Sequence, residues 1–188
     1  DLDSVVVKLD GTAVASSTIT HSVITNGYQF TYTPASAMGD GNHTVAVNAS
    51  DNDGNAATEK STTFKVDTVP PTLNVTSPTE GLVTATPTLT VAGTTNDATS
   101  SPVTITIKLN NVDQGEVTVQ SNGSFSKSVT LTEGANTIVI TATDAAGKTS
   151  TVTRNVTLDT STPVIQSASI TPNPADTGAS VIISVVIV

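Results

Sequence analysis

Part of this 188-residue sequence occurs twice, and the pattern of the repeat excludes most folds at once. Residues 3–11 (DSVVVKLDG) match residues 102–111 (PVTITIKLNN), with Val5, Val7 and Leu9 opposite Ile105, Ile107 and Leu109. Residues 41–55 (GNHTVAVNASDNDGN) match 134–148 (GANTIVITATDAAGK). Phe64-Lys65-Val66-Asp67 matches Val156-Thr157-Leu158-Asp159, and a proline-bearing junction follows each, at 68–71 and 160–163. Within every matched segment apolar and polar residues alternate. That period of two places one face of a strand against a core and the other in water, and no stretch shows a helical period. Asn26-Gly27 and Asn122-Gly123 fall between alternating segments, where a type I′ hairpin turn needs positive φ at both central residues. The expected class is all-β, built of antiparallel sandwiches in tandem.

Beyond each junction the match continues. Residues 72–93 and 164–188 both read strand, proline-rich turn, glycine, strand. The chain therefore divides into a unit at 1–67 that lacks its first two strands, a complete unit at 68–159, and a segment at 160–188 that holds only those two strands. The two partial units together are close in length to the complete one. The last segment ends on VIISVVIV (181–188), where every residue but Ser184 is apolar and β-branched, the composition of a strand buried on both faces. Such a strand with an open edge templates pairing with another chain. Pro70, Pro71 and Pro163 keep the junctions short and stiff, so the units are expected to stack end to end as a rod. In a rod the partial units leave opposite poles of the middle one and meet only between chains. The expected interface joins Val181, Ile182, Ile183, Val185, Val186, Ile187 and Val188 of one copy to Val5, Val7 and Leu9 of the next. The partner is then another copy of the same chain, in a head-to-tail contact that propagates as an open filament. A longer tandem array divided within two of its domains would leave the same pattern.

The junction VDTVPPTLNVTSP (66–78), the KLDG and KLNN strands, and the GNHTVAVNASDNDGN segment resemble the bacterial immunoglobulin-like repeats of secreted and surface proteins. The resemblance covers essentially the whole chain. It implies Greek-key sandwiches of about seven strands and an extracellular or cell-surface location. Such modules occur in adhesins, S-layer proteins and phage tails, and as accessory modules of glycosidases, so the resemblance leaves function open. Two functions follow from it and from the strand pattern. One is a structural subunit of a filament or stalk, and the other is a non-catalytic spacer or carbohydrate-binding module of a larger protein.

Composition narrows the partners. A net charge of −9 with seven Lys and Arg in all excludes phosphate-backbone recognition, so no nucleic acid is expected. With no cysteine there is no disulfide framework and no thiolate metal site. The longest apolar run, 181–188, is too short to cross a bilayer, so no membrane insertion is expected.

Asp51, Asp53 and Asn55 form the first half of a calcium-loop pattern, yet its twelfth position is Thr62 rather than a closing glutamate. The matching loop runs from Asp144 to Lys148 with a cation at its end, which favours a hairpin turn that uses Asp and Gly for geometry. Asp67 and Asp159 at the junctions are candidates for calcium between domains, as in cadherin-like arrays. No other cofactor is expected. His43 stands opposite Asn136, so its position requires neither an imidazole nor a metal. No nucleophile–base–acid spacing, facing carboxylate pair or phosphate loop is present, and an enzyme is not expected. Lys8 and Lys108 alternate with apolar neighbours and point outward, which excludes a buried isopeptide lysine. Tyr28, Phe30 and Tyr32 share one strand face; core packing is favoured over a platform for a cell-surface glycan.

Overall fold

The computed structural model describes residues 4–171, 173, 175–178 and 180–188. All of its extended elements are strands. The first unit holds β1 (Val6–Leu9), β2 (Thr12–Ala13), β3 (Ile19–Ile24), β4 (Gly27–Tyr32), β5 (Gly41–Asn48) and β6 (Lys60–Val66). Strands β2-β1-β5-β6 form one antiparallel sheet, and β3-β4 is a separate hairpin. The type I′ geometry expected at Asn26-Gly27 lies elsewhere. Asp10 and Gly11 both take positive φ between β1 and β2, as do Asn110 and Asn111 in the second unit. At the β3-β4 turn the two loop residues are Thr25 and Asn26, and Gly27 already belongs to β4 opposite Ile24. Only Asn26 of that pair is left-handed, a conformation asparagine tolerates through its short polar side chain.

The second unit holds β7 (Thr72–Ser77), β8 (Leu82–Thr84), β9 (Thr88–Asn96), β10 (Thr104–Leu109), β11 (Val112–Asp113), β12 (Ser124–Thr130), β13 (Gly134–Thr143) and β14 (Thr149–Leu158). It closes as two sheets, β12-β9-β7 and β11-β10-β13-β14-β8. The chain passes from one sheet to the other after β7, β8, β9, β11 and β12, with β8 pairing parallel to β14, in the two-sheet arrangement of an immunoglobulin sandwich. Alternation sets which residues enter the core: along β13, Asn136, Ile138, Ile140 and Ala142 are buried while the residues between them are not. Ile107, Ile138, Ile140 and Val91 are fully buried, each contributing roughly 1.5–3 kcal/mol of apolar transfer. Gly93 in β9 is required by contact, because a Cβ there would stand 2.3 Å from the Asn74 carbonyl and 2.8 Å from the Phe125 ring.

The third segment is a hairpin of β15 (Ile165–Thr171) and β16 (Ile182–Ile187). Its strands pair only with each other among the described residues. The expectation that 181–188 is buried on both faces is not met within one chain, since every residue from Val181 to Val188 is exposed. The physical reason is that β16 pairs with β15 alone among the described residues, so no second sheet lies against either face.

Candidate functional site

Two regions of the chain expose apolar surface, one over a cavity and one on a hairpin. In the second unit β12 pairs along its length with β9, from Ser124 opposite Thr94 to Thr130 opposite Thr88. Strand β4 holds the corresponding place in the first unit, and among the described residues it pairs with β3 alone. Its other edge is open. Below that edge lies an apolar cavity of about 290 Å³, walled by Val7, Leu9, Val45, Val47 and Phe64 of the four-stranded sheet. Ile19, Phe30, Tyr32, Pro34 and Met38 complete the lining. Among the described residues of this unit only Val7 and Ala46 are buried apolar side chains, against the packed core of the second.

The β15-β16 hairpin is the second region. Cross-strand register places Ile165, Ala168 and Ile170 beside Ile187, Val185 and Ile183, so these six share one face. That face is apolar and uncovered. The other carries Ser167, Ser169 and Thr171 beside Val186, Ser184 and Ile182. The edge of β16 away from β15 is unpaired among the described residues.

Of the residues expected at an interface between copies, Val7 and Leu9 line the cavity. Val5 precedes β1 and is partly exposed. Strand β1 is hydrogen-bonded on both sides, to β2 and β5, so it offers side chains rather than a backbone edge. The open edge belongs to β4, which the sequence comparison did not single out. Phe30 and Tyr32 face the cavity, in line with core packing, whereas Tyr28 is exposed beside His21. Lys108 is exposed and Lys8 pairs with Glu59 at 2.7 Å.

The acidic residues fall into two groups. The Asp51 carboxylate is spent inside its own turn. Its Oδ1 accepts from the Asp53 and Asn55 backbone N–H groups, and its Oδ2 accepts from Asn55 Nδ2 at 2.8 Å. Those bonds, the Asn55 side chain first, hold the carboxyl below its ordinary pKa. Asp53 and Asn55 are exposed. Asp144 takes the same turn, with Oδ1 accepting from Lys148 N at 2.8 Å, but Lys148 brings no side-chain amide and Oδ2 is left without a partner.

Asp67 and Asp159 cap their junctions alike: Asp67 Oδ1 accepts from Val69 N, and Asp159 Oδ1 from the backbone N–H and hydroxyl of Ser161. A carboxylate from the preceding turn secures each junction threonine, Asp40 for Thr68 and Glu133 for Thr160. The two then differ in surroundings. Asp159 is exposed, whereas Asp67 is buried with Asp97 and Asp144, and one oxygen of each of the three lies within 4.8 Å of the others. Asp97 reached the cluster without a sequence signal, because its partners lie far away in the chain. The signal available was topological: Thr72 pairs with Asn96, so the entry to β7 and the β9-β10 loop share one pole of the sandwich.

His43 is not a bland surface residue. Its Nδ1 lies 2.7 Å from Asp10 Oδ2 and its Nε2 2.8 Å from the Gly39 carbonyl, with the ring stacked on Phe64. The second unit builds the same corner from amides, as Asn110 donates to buried Asn136 and accepts from Thr137 N. Among the described residues no helix is long and apolar enough to cross a membrane.

Both larger units are similar to known immunoglobulin-like domains. Residues 1–68 match the family described as bacterial Ig-like domain, and residues 71–160 match glucodextranase, domain B. No curated protein matches the chain. Among solved structures, the fibronectin(III)-like modules of Clostridium thermocellum CbhA align at 16% identity and TM-score 0.50, over 82% of this chain and 77% of theirs. A Bacteroides ovatus SGBP-B in complex with a mixed-linkage heptasaccharide aligns at 16% identity and TM-score 0.28, over 90% of this chain and 41% of that one. The tandem Ig repeats of Dlar align at 14% identity and TM-score 0.32, over 83% of this chain and 82% of that one. Domains of these families are generally non-catalytic and typical of extracellular or surface proteins. Most of the chain is therefore similar to immunoglobulin-like domains, residues 1–68 to a bacterial Ig-like domain and residues 71–160 to glucodextranase, domain B.

Proposed function

We propose that the chain is a structural segment of an extracellular rod or filament, in which the β15-β16 hairpin of one copy closes the first unit of the next. The observation that carries this reading is the match between an open β4 edge over an apolar cavity and an exposed hairpin with one apolar face. The second unit supplies the template: β7 and β9 cover β10 and β13 there, and β9 pairs with β12. By that template β16 pairs with β4, and the face holding Ile183, Val185 and Ile187 covers Val7, Leu9 and Val45. Each buried aliphatic side chain contributes about 1.5–3 kcal/mol before ordering costs. The contact joins unlike surfaces, so it repeats from copy to copy, and along an end-to-end rod that repetition gives fibres.

Sedimentation and electron microscopy of the purified chain test the reading. The intact chain is expected to assemble with rising concentration, and a chain ending at Gly178, without β16, is expected to stay monomeric. A further variant with 164–188 joined ahead of residue 4 is expected to close the first unit within one molecule and also stay monomeric. Assembly that survives both changes overturns strand donation, as does an intact chain that remains monomeric at high concentration.

A second reading is a spacer or carbohydrate-binding module of a larger secreted protein, and the match of 71–160 to a domain of glucodextranase favours it. In that case the two strands missing from the first unit come from elsewhere in the same polypeptide. Tyr28, the exposed aromatic of β4, is the side chain a glucan would stack on. A glucan-binding measurement on the monomeric variant separates the two: affinity lost on Tyr28→Ala supports the module, and no affinity removes its binding role.

A further inference from the structure

The cluster of Asp67, Asp97 and Asp144 is independent of how copies meet. It draws on three separate segments: the linker after β6, the loop between β9 and β10, and the loop between β13 and β14. Each carboxylate is aimed by backbone donors at one oxygen only. Asp97 Oδ1 accepts from Thr99 N at 2.7 Å and Ser100 N at 2.6 Å, Asp144 Oδ1 from Lys148 N, and Asp67 Oδ1 from Val69 N. Asp67 and Asp144 are only 8% and 6% exposed, and the Oδ2 atom of each is buried without any hydrogen-bond partner among the described residues. Buried carboxylate oxygens left unpaired are costly, and they are retained where an ion completes them. No lysine, arginine or histidine forms an ion pair with the three among the described residues, although Lys65 borders the opening beside Asp67.

We infer that Asp67, Asp97 and Asp144 bind one hard divalent cation of the calcium class, and that the ion ties the first unit to the second. The donors are all carboxylate oxygen, which disfavours zinc and suits calcium or magnesium. The number of carboxylates chooses between those two: magnesium keeps several waters and is usually held by one or two carboxylates, whereas calcium takes about six to eight oxygens in a flexible shell; three carboxylate oxygens here lie within 4.8 Å of one another. An opening of about 240 Å³, lined by Thr99, Ser100, Ser101 and Ala145, leaves room for water in the remaining positions. Asp51 sharpens the assignment. In that copy of the turn Asn55 occupies the second oxygen, and in Asp144 the same oxygen is free to coordinate. Asp159 repeats the place of Asp67 at the second junction, yet it is exposed and its Oδ1 accepts from Ser161.

Titration of the chelator-treated full chain with calcium chloride, by calorimetry and thermal melting, tests the site. One calcium per chain is expected, with Kd of about 10⁻³ M or tighter and a raised Tm. Asp67→Asn, Asp97→Asn and Asp144→Asn are each expected to weaken binding by about tenfold or more, and Asp51→Asn to leave it unchanged. Asp67→Asn decides if the loop variants misfold, because an asparagine carbonyl still accepts from Val69 N. Calcium is also expected to slow proteolysis of the 67–71 linker in the parent chain and not in Asp67→Asn. Absence of binding overturns the inference and leaves Lys65 as the counter-charge. Binding that persists in all three variants, or magnesium bound as tightly as calcium, overturns it too. A chain ending at Gly178 is expected to bind calcium equally, so failure of assembly and failure of this site are separately visible.

Discussion

The Asp10–His43 corner shows one backbone task solved by two chemistries. Both imidazole nitrogens face acceptors, the Asp10 carboxylate and the Gly39 carbonyl, so the doubly protonated ring satisfies both. The Asp10 hydrogen bond, then the Gly39 carbonyl, raises the His43 pKa above its ordinary 6.5, and the His43 hydrogen bond, then Thr44 N, lowers that of Asp10 below 3.8. The signs define a window. The histidine contribution is complete below 6.5 and is lost as pH rises through the raised folded value, while the aspartate contribution is complete above 3.8 and is lost as pH falls through the lowered one. The corner is therefore strongest between those two ordinary values. An NMR titration is expected to place the His43 midpoint above 6.5, and Asp10→Asn to bring it back toward that value. The double variant Asp10→Asn with His43→Asn copies the second unit, whose corner rests on Asn110 and Asn136, and is expected to lose this pH dependence. Alignment of His43 with Asn136 exposed the interchangeability, but not the ion pair, since Asp10 lies 33 residues away in the chain.

Strands of similar composition meet different fates in the two units. Ile138 in β13 is sealed between two sheets, and Ile19 in β3 lines a cavity with one side open. Truncation to alanine costs about 2–5 kcal/mol where a packed site cannot collapse. Ile138→Ala is expected to fall in that range, and Ile19→Ala to cost much less in the monomeric chain ending at Gly178. Circular-dichroism melts of the two variants against that parent check the contrast. Comparable losses at both positions would show that the first unit is already closed. The hairpins carry the same lesson at finer grain. All three hairpins leave two residues between their strands: Asp10-Gly11 and Asn110-Asn111 fall in that gap and both take positive φ, whereas β4 takes Gly27 into the ladder and the gap falls on Thr25-Asn26. Turn residues announced that a hairpin was present; pairing of the flanking strands chose which residues turn.

At the scale of the molecule, stability is expected to be uneven. The second unit holds the packed core, and the first holds two buried apolar side chains among the described residues. Hydrogen exchange on the monomeric variant is expected to show slow amides in β9, β10 and β13, and faster exchange in β3 and β4. Assembly is expected to slow β4 most. Uniform protection across both units in the monomer would contradict an open first sandwich. The all-β class, the repeat and its junctions, and the inward positions of β5 and β13 were legible directly, because alternation and turn chemistry are local and each residue carries its own share of the signal. Asp67 was marked by its place at a junction for the same reason. That Asp97 and Asp144 join it, that β4 rather than β1 holds the open edge, and that the terminal hairpin stands uncovered are matters of which distant segments share a pole or an edge. No local pattern encodes that, since it follows from how two sheets close over one core and from where that closure is left incomplete.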